Sequence, residues 1–139
     1  MIVLDTNVVS EAMRPQPDPN VLAWLNAQPA EALYLTSVTF AELLFGISVL
    51  PLGARKDHVE RALDALLAGF VGRILPFDAE AARRYAAMAS VAKELGRTLP
   101  LNDGYLAATA SANGFAVATR NTKDFVVTTV ALINPWQPA

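Results

Sequence analysis

Ile2-Val3-Leu4-Asp5-Thr6-Asn7 places three apolar, β-prone residues directly before an aspartate and two more residues suited to helix caps. A short, bounded apolar run reads as a buried strand. Asp5-Thr6-Asn7 reads as the turn from that strand into a helix. The helix extends from Val8 to Met13 and is ended by the cluster Pro15, Pro17 and Pro19. A strand that feeds straight into a helix is the first half of a βαβ unit, and its carboxyl end is where such folds gather their ligands.

The same alternation recurs down the chain. Asp18 to Ala27 reads as a helix with Val21, Leu22 and Leu25 on one face, and Leu33-Tyr34-Leu35 as a second strand. A helix from Val38 to Leu50 carries Phe40, Leu43, Leu44 and Ile47 as its core stripe, and Pro51-Leu52-Gly53 breaks it. The next helix spans Ala54 to Ala68, followed by a turn at Gly69 and Gly72 and a third strand at Arg73-Ile74-Leu75. Asp78 caps a long helix, Ala79 to Leu95, ended by Gly96. Asp103 to Asn113 is a helix of small residues closed by Gly114. Phe115 to Thr119 and Leu132-Ile133 read as the fourth and fifth strands. Alternating strands and helices predict an α/β fold with a short, mostly parallel central sheet and helices on both faces. No internal repeat, low-complexity tract or linker interrupts the pattern, so one domain is expected over residues 1–139.

Composition narrows the chemistry. Hydrophobic residues make up 53% of the chain and charged ones 17%, which excludes global disorder. A mean hydropathy of +0.32 calls for helices buried on more than one face, or for an apolar patch that a partner covers. No apolar stretch reaches the roughly 20 residues of a spanning helix, and Asp5 cuts the apolar start too early for a signal peptide. The absence of cysteine excludes a disulfide framework, thiol catalysis and Cys-ligated zinc, and fits a cytosolic protein. The net charge of −2 is not that of a polybasic nucleic-acid coat. The only histidine, His58, stands in the charged run Arg55-Lys56-Asp57-His58, a solvated helix start with no nucleophile elbow to accompany it. Acid–base and metal chemistry therefore rests on carboxylates.

Four carboxylates stand out by position. Asp5 follows the first strand, where it is either a helix N-cap or a group pointing into the crevice. Glu42 lies in Thr39-Phe40-Ala41-Glu42-Leu43, either as the far half of a capping box with Thr39 or as an acid with open space beside it at Gly46. Asp103 sits at a helix start, as a cap or a site acid. Asp124 follows the fourth strand, as a loop acid paired with Lys123 or Arg120, or as a further member of the site. Clustered carboxylates repel one another and raise their own pKa values, and a divalent cation relieves this. Hard oxygen donors without Cys or a usable His suit Mg²⁺ or Mn²⁺ better than zinc, so the residues alone allow metal-dependent phosphate chemistry.

The ordered set of motifs resembles a known family. Ile2-Val3-Leu4-Asp5-Thr6-Asn7, Ser37-Val38-Thr39-Phe40-Ala41-Glu42-Leu43, Asp103-Gly104-Tyr105-Leu106-Ala107-Ala108-Thr109-Ala110 and Val117-Ala118-Thr119-Arg120-Asn121-Thr122-Lys123-Asp124-Phe125 are similar to the four acidic motifs of PIN domains, and Ile133-Asn134-Pro135-Trp136 matches their end. The resemblance covers essentially the whole chain and is strongest to the VapC-type toxins of type II toxin–antitoxin pairs, including FitB-like members. It implies a three-layer α/β/α sandwich and a Mg²⁺- or Mn²⁺-dependent endoribonuclease that hydrolyses RNA phosphodiesters with a metal-activated water, leaving 5′-phosphate and 3′-hydroxyl ends. It also implies a homodimer in the bacterial cytoplasm and an antitoxin whose tail covers the site. Asp5, Glu42 and Asp103 carry over as the core metal-binding and catalytic acids, with Thr6, Asn7 and Thr119 as supporting polar residues and Arg120 as a possible helper. Many PIN domains have an acid near the position of Asn121; here Asn121 can offer an oxygen but no charge, and the fourth ligand is either Asn121 or Asp124, the latter directly or through water, which leaves one or two metals open. The surplus of apolar residues among Trp24, Leu25, Phe40, Leu44, Phe45, Leu50 and Leu52 is mostly core, with some left for the dimer or antitoxin surface.

Three other readings compete. A haloacid-dehalogenase-type phosphatase needs a second Asp two residues after the first, where Asn7 stands; a receiver domain needs an acid pair before its key Asp, where Val3 and Leu4 stand. A catalytically silent PIN-like binding module would have lost the acids, and the three main ones are present.

Overall fold

Five short β-prone runs pair side by side into one sheet in the computed structural model, which describes residues 1–138. In chain order they are β1 (Ile2–Leu4), β2 (Leu33–Thr36), β3 (Ile74–Leu75), β4 (Ala116–Ala118) and β5 (Leu132–Ile133). Every strand pairing is parallel, and the order across the sheet is β3-β2-β1-β4-β5. The helices are α1 (Thr6–Ala12), α2 (Pro19–Ala27), α3 (Ser37–Ser48), α4 (Ala54–Ala68), α5 (Ala79–Glu94), α6 (Leu101–Asn113) and α7 (Thr122–Phe125). Short 3₁₀ turns cover Ala30–Ala32 and Val126–Thr128.

Alternation along the strands divides the core in two. Leu4, Leu33, Leu35 and Ala118 face one side and pack with Val8 and Val9 of α1, Val21 of α2, Leu43 and Ile47 of α3, and Leu63 of α4. Val3 and Val117 face the other side and pack with Leu106, Ala107 and Ala110 of α6 and with Phe125. Tyr34 and Met88 of α5 complete that face. The result is the expected three-layer α/β/α arrangement, with helices α1–α4 on one face and α5–α7 on the other.

Strand order locates the crevice. From β1 the chain steps outward to β2 and β3, then returns to the other side of β1 with β4 and β5. The direction of winding therefore reverses between β1 and β4, and the helices that follow these strands diverge to opposite faces. Such a switch point leaves a gap at the carboxyl ends of the strands. The Asp5 N–H donates to the Ala118 carbonyl at 2.9 Å, so the β1–β4 pairing runs to the residue that enters that gap.

Several boundaries differ from the sequence reading. The Asp5 side chain accepts from the Thr6 N–H, so α1 begins at Thr6 rather than Val8. Pro100 occupies the N-cap position of α6, which starts at Leu101, two residues before Asp103. The buried stripe of α3 is Thr39, Leu43 and Ile47; Leu44 is 48% exposed and does not join it. Among the apolar surplus, Trp24 and Leu25 pack on the core, whereas Phe45 and Leu52 are 68% and 91% exposed. His58 is exposed, as its charged surroundings require.

Candidate active site

Asp5 enters the crevice from the end of β1 and is buried. Its carboxylate is held by three donors. The Thr6 N–H donates to Oδ1 at 2.7 Å, the Thr119 hydroxyl to Oδ2 at 2.8 Å, and the Asn7 amide to Oδ2 at 3.3 Å. Thr119 in turn accepts from the Asn121 N–H at 3.0 Å, so its hydroxyl proton is directed at Asp5. Asp5 is thus both a helix cap and a site acid, and the two sequence readings for it are compatible.

Glu42 arrives from α3. The Thr6 hydroxyl donates to its Oε1 at 2.9 Å, tying α3 to the start of α1. It is not part of a capping box: Thr36 caps α3, accepting from the Thr39 N–H at 3.1 Å, and Thr39 is buried in the first turn. Asp103 lies in the first turn of α6, and no side-chain cap closes that helix. The adjacent Gly104 lets α6 sit against Tyr85 of α5: a Cβ there would come within 2.7 Å of the tyrosine ring. Asp124 stands on α7, beyond β4, with its N–H bonded to the Asn121 carbonyl at 3.0 Å.

The four acids act on one another. Burial raises the Asp5 pKa first, against the lowering effect of Thr119 and Thr6, and the charges of Glu42 and Asp124 raise it further. Burial, then the charges of Asp5, Asp124 and Glu42, push Asp103 up from 3.8 to about 6. Among the described residues none of the four forms an ion pair; the three salt bridges are Arg14–Glu11, Arg83–Glu80 and Arg84–Glu80. The pairing of Asp124 with Lys123 or Arg120 is therefore not formed. An arrangement of mutually repelling oxygen donors with no cation of the protein's own suits a hard divalent ion. Among the described residues no three His, Cys, Asp or Glu side chains stand close enough together to hold a metal ion between them. That spread fits an ion taken by one or two carboxylates and otherwise through water, as Mg²⁺ commonly is.

The polar residues divide. Thr6, Asn7 and Thr119 bond directly to the acids. Asn121 contributes its backbone N–H to Thr119, and its side chain makes no hydrogen bond among the described residues. Arg120 donates its N–H to Asn7 Oδ1 at 3.4 Å, while its guanidinium turns onto the Trp136 ring. Glu11 was not singled out by sequence. It is 7% exposed, accepts from Arg14 at 3.2 Å and 3.3 Å, and accepts from the Asp18 N–H at 3.0 Å. Its signal was the Glu11-x-x-Arg14 spacing just before the proline cluster. A groove of about 520 Å³ opens from Thr6 and Glu42 between α1, α3 and α4, with open space over Gly46.

A PIN-domain family model matches residues 2–129. The chain belongs to the PIN-domain family. The chain is 49% identical over 140 residues to the VapC ribonuclease Y4jK of Sinorhizobium fredii, covering 100% of both chains. It is 47% identical over 137 residues to the toxin FitB of Neisseria gonorrhoeae, covering 98% of this chain and 99% of the other. Among solved structures, the FitAcB crystal structure from Neisseria gonorrhoeae includes a chain 46% identical to this one, with a TM-score of 0.94 and 99% of each chain covered. VapBC2 of Rickettsia felis, bound to a promoter DNA fragment, includes one at 26% identity with a TM-score of 0.82, covering 96% of this chain and 98% of the other. PIN-domain nucleases as a family depend on a divalent metal. No helix among the described residues is long and apolar enough to cross a membrane.

Proposed function

We propose that this chain is the toxin of a toxin–antitoxin pair: a metal-dependent endoribonuclease whose site is built from Asp5, Glu42, Asp103 and Asp124. The observation that carries the reading is the meeting of four unpaired carboxylates at the β1/β4 switch point. The names of the relatives, a VapC ribonuclease and the toxin FitB, support the activity, and the solved FitAcB and VapBC2 assemblies support an antitoxin partner.

Asp5, Glu42 and Asp103 would hold Mg²⁺ or Mn²⁺, with Asp124 as the fourth acid. When bound, the ion supplies an acidified water and neutralises charge on a phosphoryl oxygen. The protein's own part is positioning. Thr119, Thr6 and Asn7 fix both oxygens of Asp5, and the Thr6 hydroxyl fixes Glu42. The raised pKa of Asp103 in the metal-free site marks a repulsion among the acids that a bound cation would relieve. The reaction is hydrolysis of an RNA phosphodiester. The groove beside Glu42, lined on α3 by Leu43, Gly46 and Ile47, offers an antitoxin segment a seat that reaches the acids. A homodimer, residence in the bacterial cytoplasm and a single domain over residues 1–139 complete the reading.

The test is incubation of the full chain, freed of antitoxin, with total RNA and Mg²⁺ or Mn²⁺, alongside EDTA and Asp5→Asn controls. Discrete fragments that disappear in both controls are expected. Neither cleavage nor metal binding would leave a module that only binds its partner.

A further inference from the structure

Beside the acids lies a second recess, of about 470 Å³, walled by Arg14, the Pro17–Pro19 turn, Arg120 and Trp136. Both of its walls are fixed. The Arg120 guanidinium carbon lies 5.2 Å from the centroid of the Trp136 ring, a cation–π stack. The Trp136 N–H donates to Asn134 Oδ1 at 3.0 Å, and its carbonyl accepts from the Asn20 amide at 3.0 Å. The opposite wall is pinned by buried Glu11, which takes the Asp18 N–H and the Arg14 guanidinium.

The recess is lined by two arginines, Arg14 and Arg120, and two acids, Glu11 and Asp18, so its formal charge is zero and Arg120 is the cation left outside an ion pair among the described residues. Glu11 is consumed by Arg14 and the Asp18 N–H, and Asp18 caps α2 by accepting from the Asn20 N–H at 2.8 Å. Arg120 is exposed and forms no ion pair among the described residues. Arg14 commits one guanidinium nitrogen to Glu11 and leaves its other donors free. The recess is also registered to the acids. Arg120 directly follows Thr119, which donates to Asp5, and the Arg120 N–H donates to Asn7.

From this geometry we infer that the recess receives an unpaired nucleotide of the RNA, next to the phosphate that is cut. Its base stacks on the Arg120–Trp136 pair, and its phosphate lies against Arg120. Planar guanidinium groups and tryptophan rings are platforms for splayed-out bases, and neither can reach a base inside a duplex. The recess thus selects single-stranded RNA, with Arg120 as the local cation that a chain of net charge −2 offers there. The inference rests on the ribonuclease reading above.

The test uses the full chain carrying Trp24→Phe, which leaves Trp136 as the sole tryptophan. A single-stranded RNA oligonucleotide of mixed sequence is titrated in EDTA while Trp136 emission is followed, and its duplex form serves as a second probe. Saturable quenching by the single strand and none by the duplex is expected. In the same background, Arg120→Ala weakens binding about tenfold and lowers the slope of log affinity against log salt by about 0.7. On the native background, anisotropy with labelled RNA should show Trp136→Leu losing affinity, Trp136→Phe keeping most of it, and Arg97→Ala matching native. Absence of quenching, or native RNA affinity in both Arg120→Ala and Trp136→Leu, overturns the inference. So does a loss of antitoxin affinity in these variants with RNA binding intact, which would assign the recess to the protein partner. Quenching without any Mg²⁺-dependent cleavage of total RNA removes the nuclease reading and keeps the recess; cleavage without quenching removes the recess alone.

Discussion

Thr119 donates its hydroxyl to Asp5 Oδ2 at 2.8 Å, joining the end of β4 to the end of β1 across 114 residues of sequence. The bond spans the switch point, so the strand order itself determines where the acid stands. Replacing Thr119 by Val keeps the shape and removes the donor, leaving buried Asp5 Oδ2 and the Asn121 N–H short of a partner. Thr119→Val should cost about 1–3 kcal/mol in urea unfolding. It should also weaken Mg²⁺ binding, because Asp5 loses a bond that favours its charged form. Thr119→Ser should restore most of both.

Asp103 offers the opposite outcome. Burial and three neighbouring charges disfavour its ionised form, so neutral Asp103→Asn should stabilise the metal-free chain at neutral pH. Because the group is partly exposed, the gain after solvent screening is about 1 kcal/mol. RNA cleavage by the same variant should fall to background. A variant that is less stable in EDTA than native would show that the charge of Asp103 is not under strain.

The pH dependence follows from the same shift. Unfolded, Asp103 ionises near 3.8; folded, it ionises at about 6. Between those values the folded state binds more protons, so this contribution to stability is complete below pH 3.8 and is lost as pH rises to about 6. Asp5, also raised, acts in the same direction. In EDTA, the stability of native relative to Asp103→Asn should fall across that window and be flat above it. Mg²⁺ competes with these protons, so its affinity should climb through about pH 6. Thermal melts with and without Mg²⁺ measure both.

Gly104 tests the packing that places Asp103. An added methyl would meet the Tyr85 ring at 2.7 Å, and that ring is itself packed on Tyr105, with centroids 4.8 Å apart. Gly104→Ala should therefore cost about 1–3 kcal/mol. It should also reduce cleavage by shifting the first turn of α6. Full activity with native stability would mean that Tyr85 gives way freely.

Much of this architecture is legible in the residues because apolar runs and Pro or Gly breaks carry it. Ile2-Val3-Leu4 is a strand as read, and α4 spans the residues read for it, Ala54–Ala68. The first turns of α1 and α6 were missed because their caps are unusual: an aspartate that ends a strand, and Pro100 with no side chain to offer. The four-residue helix α7 has no apolar period to betray it. Leu44 was assigned to the core because spacing alone cannot tell a buried stripe from one facing a groove. The acids were visible one by one at strand ends and helix starts. Their common field was not, since it depends on a strand order that places β4 beside β1.

On the proposed reading, Asp5, Glu42, Asp103 and Asp124 form one divalent-cation site. Calorimetric titration of the full chain with Mn²⁺, native against Asp5→Asn, tests it most directly. One saturable binding event accompanied by proton release near pH 6, lost in the variant, is expected. Equal binding by both chains, or none by the native chain, would contradict it.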